Sequence, residues 1–183
     1  MSKVKLLFPF ILIFCLTFSL NKTNTALSII FAVAVHEIGH ISAIYMLKGK
    51  IIRNSVFGMG ADIEYTQKEL SIKSDIIVYI SGPLAGMLGA IIGQFLGLYS
   101  FALYSTTLSI VNLIPAYPLD GGNILKSILP ADKCDNLILI ISFVIGCIIC
   151  ILGLTIIFVS GNFSVFSLGM SILVSIIPKR TLQ

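Results

Sequence analysis

The apolar positions of this chain neither alternate with the period of a strand nor keep to one face of a helix; they run on without a break. Six such runs occur, at Leu6 to Leu20, Ala26 to Leu47, Ile76 to Leu98, Phe101 to Leu119, Leu137 to Val159 and Phe163 to Ile177. About 20 apolar residues in a helix cross the hydrocarbon of a bilayer. The pattern therefore predicts an all-α polytopic membrane protein with about six transmembrane helices. Several runs contain Gly or Pro, which helices in lipid tolerate better than helices in water. The longest polar interval lies between the second and third runs, where Ile51 to Tyr65 reads IIRNSVFGMGADIEY. β-formers flank Gly58 and Gly60, which predicts a short β-hairpin or strand pair near the cytoplasmic face. The Gly58-Met59-Gly60 string is too short for a phosphate loop and reads as its turn. Thr66 to Asp75 then leads helically into the third span.

Composition agrees with the pattern. Of 183 residues 57% are hydrophobic and 11% charged, with a mean hydropathy of +1.05, which excludes a water-exposed globule. The formal net charge of +4 is explained by membrane topology, not by nucleic acid. With the N-terminus inside, Lys3, Lys5, Lys48, Lys50, Arg53, Lys68, Lys73, Lys126, Lys133, Lys179 and Arg180 fall on one side and Lys22 alone on the other. Eleven of the 12 basic residues thus obey the positive-inside rule, with both termini cytoplasmic in a cell membrane, a bacterial one by the Ile, Lys and Asn usage. Lys3 and Lys5 before the first run resemble a signal peptide. The small residues that cleavage needs are reduced to Thr17 and Ser19, and Cys15 lacks them for lipidation, so the segment is expected to be retained. Cys15, Cys134, Cys147 and Cys150 do not have the spacing of a disulfide framework.

Both histidines of the chain sit in the second span, in His36-Glu37-Ile38-Gly39-His40. Positions i and i+4 share one face of a helix, so two imidazoles can grip one cation, and Glu37 is placed to reach a water on it. A carboxylate at mid-bilayer costs about 2.5–3.5 kcal/mol on insertion scales and marks function. The structural alternative is a pair of core histidines with Glu37 in an ion pair, yet no Lys or Arg lies in any span to be its partner. A catalytic zinc has three protein ligands and a water. Asp120 stands apart from the loop acids Asp62, Glu64, Glu69, Asp75, Asp132 and Asp135, in the string NLIPAYPLDGG from Asn112 to Gly122. Pro115 and Pro118 break that helix, and Gly121 with Gly122 lets the backbone turn sharply. Irregular backbone at membrane depth survives where it walls a cavity, which would turn Asp120 towards the metal. The other reading of Asp120 is a helix-ending residue at the interface. His40 lies about 12 Å from Lys48 along its helix, so a shared site would be nearer the cytoplasm.

HEIGH in one span, SGPLAG in the next and NLIPAYPLDGG after it, in that order, resemble the site-2 proteases (peptidase family M50), intramembrane zinc metalloproteases that cut transmembrane or membrane-bound substrates. The six-span layout and LIPAYPLDGG are similar to the sporulation branch, which processes a sigma-factor precursor. The resemblance implies one Zn2+ per chain held by His36, His40 and Asp120, Glu37 as the catalytic residue, and Asn112 near the active site, orienting or polarising the substrate carbonyl. It implies a membrane protein as substrate, with a membrane regulator as a further partner. Two features depart from the family pattern: Gly86 stands where many members have Asn, and no PDZ insertion is visible. The reading is of one membrane-embedded domain, 1–183, with a catalytic core of about 26–122 and no separate soluble domain.

In that mechanism zinc acidifies its water and polarises the scissile carbonyl, while Glu37 moves the proton from water to leaving amine. The hairpin would hold an unwound substrate as an added edge strand, unless it only packs over the site. Two rivals use the same residues. A metal transporter or sensor would need a ladder of sites where the chain offers one, and a non-catalytic helix binder has no use for Glu37. Cys147 and Cys150 read as packing residues, as does the stripe Gly82, Gly86, Gly89 and Gly93 of the third span, for which the helix of the two histidines is the candidate neighbour. The serines form no nucleophile motif.

Overall fold

The computed structural model describes residues 23–48, 50–53, 64–66, 72–129 and 131–176. Its elements are α1 (Thr23–Met46), β1 (Lys50–Arg53), β2 (Glu64–Thr66), α2 (Ile72–Phe95), α3 (Tyr99–Asn112), α4 (Asp120–Ile128), α5 (Ala131–Ser160) and α6 (Ser164–Ile176). The expected first span, Leu6 to Leu20, lies outside the described residues, as do Gly58 and Gly60. β1 and β2 pair antiparallel, with Lys50 opposite Thr66, Ile51 opposite Tyr65 and Arg53 opposite Glu64. Helix α2 begins at Ile72, within the stretch expected to lead into the third span.

Three described helices are long and apolar enough to cross a bilayer: Leu27–Met46, Ile72–Phe95 and Asn136–Ser160. Helices α3 and α6 have 14 and 13 residues. At 1.5 Å per residue they reach about 20 Å, short of a hydrocarbon core about 30 Å thick. The expected fourth span, Phe101 to Leu119, is helical only to Asn112. Pro115 disfavours helical backbone before it and supplies no N–H, so 113–119 run as turns.

Helix packing inverts the size order of a soluble core. Many buried positions are small, among them Ala32, Ala43, Ala90, Ala102, Ser105, Ser109 and Ser142, beside a few large ones such as Ile44 and Ile172, while Phe31, Leu88, Ile92, Ile140, Phe143 and Ile151 face outward. Large apolar side chains gain nothing by leaving lipid, whereas small ones let helix backbones approach. α1 packs on α2 and α3, and α2 on α3 and α4. α5 pairs with α6 and meets α4. The glycine stripe serves two neighbours: Gly82 faces the His40 ring on α1, Gly86 faces Ser109 on α3, Gly89 lies between Val35 and Phe101, and Gly93 faces Phe101.

Tight turns join the paired helices. Gly97 (φ 74°) ends α2, with Leu98 N–H donating to the Gly93 carbonyl at 2.8 Å, a 6→1 bond that needs left-handed backbone. Gly161 (φ 70°) ends α5 in the same left-handed backbone, its own N–H donating to the Ile157 carbonyl at 2.8 Å. Within that pair Gly153 abuts the Phe166 backbone, its missing Cβ leaving no room for a side chain. Gly153→Leu is expected to destabilise the chain by about 1–3 kcal/mol, the cost of overpacking. A lowered unfolding midpoint in a denaturing-detergent titration checks it; an unchanged midpoint would refute the packing.

Candidate metal centre

α1 presents His36 and His40 on one face, one helical turn apart, and both are buried. Their rings meet edge to face, centroids 4.8 Å apart and planes at 83°. Asp120, the first residue of α4, closes the group and is 6% exposed. It therefore begins a helix and does not end one, and it is buried within the protein. His36 Nε2 and His40 Nε2 are 3.2 Å apart, and Asp120 Oδ2 lies 3.1 Å from the first and 3.3 Å from the second. Among the described residues, these three form the only group of His, Cys, Asp or Glu arranged to hold a metal ion.

The triangle can be tested against zinc chemistry. Bonds of about 2.0–2.1 Å in a tetrahedron place neighbouring donor atoms about 3.3 Å apart, and the observed edges are 3.1–3.3 Å. The donor set, two imidazoles and a carboxylate, is one zinc accepts. The protons tell the same story. His40 Nδ1 lies 2.8 Å from the Val78 carbonyl, which can only accept, so this nitrogen carries a proton, and a neutral ring would then have its lone pair at Nε2. That lone pair faces Asp120 Oδ2, another acceptor. A proton on one ring satisfies one contact at a time, whereas a cation on the open face of the triangle satisfies all three. The residues fit a divalent metal.

Local sequence explains each placement. Ser81 and His40 both bond the Val78 carbonyl, and the imidazole reaches it by lying against Gly82, where a Cβ would run into the ring. Gly39 lets α1 and α2 close at the same level, its absent Cβ being 2.5 Å from the Ser81 carbonyl oxygen. Gly121 and Gly122 correct the sequence-based expectation. They make no sharp turn of their own: among the described residues positive φ at glycine belongs to Gly97 and Gly161. Both lie inside α4, and both are bare because the first turn of that helix rests on the main chain of Leu113, Ile114, Ala116 and Tyr117.

Glu37 follows His36 on α1 and is half-buried. Asn112 ends α3, where its Nδ2 donates to the Leu108 carbonyl at 3.0 Å, so the amide nitrogen is engaged one turn back in its own helix. Sequence reasoning did not find Val78, which acts through its backbone; its only trace in the sequence is Gly82. A methyl at that position is expected to tilt the His40 ring off Val78. Gly82→Ala should weaken metal binding about 10–100-fold, the usual cost of losing outer-shell support. Metal titration of the purified variant checks this, and wild-type affinity would refute the role given to Gly82.

The model of Peptidase family M50 matches residues 92–153 of the chain. Stage IV sporulation protein FB of Bacillus subtilis (strain 168) is 28% identical over 147 residues, covering 73% of this chain and 50% of that protein. A zinc metalloprotease of Methanocaldococcus jannaschii is 33% identical over 112 residues, covering 54% of this chain and 32% of that protein. The chain thus spans half or less of the length of these relatives. Its fold matches the solved site-2 protease from Methanocaldococcus jannaschii with a TM-score of 0.73 at 20% identity, over 94% of this chain and 86% of that one. In sequence the chain is thus similar to proteins of peptidase family M50, and in fold to a site-2 protease.

Proposed function

We propose that this protein is an intramembrane zinc metalloprotease that hydrolyses a peptide bond of a transmembrane or membrane-associated protein near the cytoplasmic side. The observation that carries the reading is the buried triangle of His36 Nε2, His40 Nε2 and Asp120 Oδ2, with edges of 3.1–3.3 Å and a carboxylate, Glu37, beside it on the same helix. His36, His40 and Asp120 hold one Zn2+ per chain. When bound, the ion supplies Lewis acidity, lowering the pKa of a water and polarising a carbonyl. Glu37 takes a proton from the attacking water and returns it to the departing amine, so that no proton is gained or lost over the cycle. Asn112 keeps its amide oxygen for orienting the substrate, its nitrogen being bonded to Leu108.

The membrane setting belongs to the same proposal. Six crossings, counting Leu6 to Leu20 and the two short helices α3 and α6, put both termini and eleven of 12 basic residues in the cytoplasm. Residues 1–183 then form one membrane domain whose catalytic core is about 26–122. The strand pair between α1 and α2 stands at the cytoplasmic end of α1, where an unwound substrate could join it as an edge strand. A single compact group of ligands, with no ladder of sites among the described residues, supports hydrolysis over transport. The retained Glu37 supports it over mere helix binding.

Two measurements test this. Elemental analysis should find about one zinc per wild-type chain and a lower content in Asp120→Ala, since a catalytic site needs its third ligand. Glu37→Gln should keep its zinc while cleavage of a membrane-protein substrate falls by at least about 100-fold, the scale of general-base catalysis. Cleavage that survives Glu37→Gln would remove the base from the mechanism, and a wild-type chain without zinc would remove the enzyme.

A further inference from the structure

Helices α5 and α6 supply no ligand to the metal triangle, yet they hold the segment from which its third ligand is aimed. Residues 113–119 carry main-chain polar groups with no helix around them, and at membrane depth each must find a partner within the protein. Most do so locally: Leu113 N–H bonds back to α3, Ile114 N–H to Val111, Ala116 N–H to Ile114 and Leu119 N–H to Ala116. Pro115 and Pro118 have no N–H to place. Tyr117 is different, because its N–H donates to Ser142 Oγ of α5 at 2.8 Å, across 25 residues of sequence. Its carbonyl accepts from Ser175 Oγ of α6 at 3.2 Å, a proton that Ser175 shares with the Ile172 carbonyl at 2.6 Å.

Ser142 is wholly buried in a helix that turns Ile140, Phe143 and Val144 outward. A buried hydroxyl is unfavourable unless it is hydrogen-bonded, and this one meets a main-chain donor three residues before Asp120. Around the bond, Ala116, Leu119 and Ile172 form a buried cluster with Ile145 and Ile149 packed against it, so the segment is seated on α5 and α6 by shape as well. On the far side of Asp120 the glycine pair fixes α4 to the same main chain.

We propose that Ser142 is a positioning residue for Asp120: by fixing Tyr117 it sets the position from which the carboxylate meets His36 and His40, and Ser175 assists it. The proposal rests on the metal reading of that triangle. It assigns to the α5–α6 pair a part in metal affinity that neither helix could have through a ligand of its own.

The test is a Co2+ titration of the full chain in lipid nanodiscs, followed by the visible absorption of the bound ion. Wild type, Ser142→Ala, Asp120→Ala and the double variant are compared. Ser142→Ala is expected to bind Co2+ about tenfold more weakly than wild type, as loss of outer-shell support does. In the Asp120→Ala background the same change should have no further effect, because the residue it positions is gone. Ser142→Thr, which keeps the hydroxyl, should hold wild-type affinity. Ser175→Ala should show the same non-additivity with a smaller loss, about threefold, since its proton is shared. Wild-type affinity in both alanine variants would overturn the proposal, and so would equal losses with and without Asp120, the mark of a general packing role. Failure of the wild-type chain itself to take up Co2+ would overturn the metal reading, and this proposal with it.

Discussion

Everything in this structure is arranged around one electrostatic problem: an imidazole lone pair, a second imidazole nitrogen and a carboxylate oxygen brought within 3.3 Å of one another inside a membrane protein. In water such a group would be screened and would drift apart. In a low-dielectric interior it persists only if positive charge sits among the three atoms, or if the scaffold holds them against their repulsion until it arrives. The scaffold does the holding with parts that carry no charge. A backbone carbonyl at Val78 sets one ring, bare positions at Gly39 and Gly82 bring the two helices together, and Gly121 and Gly122 let α4 rest on the chain that precedes it.

Those parts are available because of how membrane helices pack. A soluble core of the same size would fill the space between α1, α2 and α3 with Leu and Ile, and helix axes would stand apart. Here most of the large side chains are spent on the lipid face, and much of the interior is Ala, Gly and Ser, with Ile44, Leu119, Ile138 and Ile172 among the few large apolar residues inside. Backbone then lies close to side chain, and main-chain carbonyls become usable as partners for imidazoles. The departure at Gly86 belongs to the same economy of space, for the Ser109 hydroxyl of α3 occupies the volume a side chain there would need, and donates to the Ser105 carbonyl at 2.8 Å.

The residues of the triangle were readable in the sequence because their chemistry is conspicuous against the background. Two histidines at i and i+4 and a lone Asp after two prolines stand out in a chain so poor in charge, and the helix breaks at Pro115 as proline geometry requires. What could not be read lay in long-range backbone contacts. Val78 and Tyr117 act through their main chains, so their side-chain identities carry no signal. Ser142 looks like any serine in an apolar helix until its partner 25 residues away is known. The glycine pair after Asp120 was noticed for the wrong property, conformational freedom, when what matters is the missing Cβ. Span counting also has a limit, since α3 and α6 are too short for length alone to identify them as crossings.

The division of the triangle between α1 and α4 has a consequence for biogenesis. Both histidines leave the ribosome together, but Asp120 follows about eighty residues later, a delay of roughly 4–16 s at 5–20 residues per second. Through that interval the nascent chain carries the two imidazoles without the carboxylate that meets them in the folded protein. The triangle is therefore closed only after α2, α3 and the broken segment before α4 have been made.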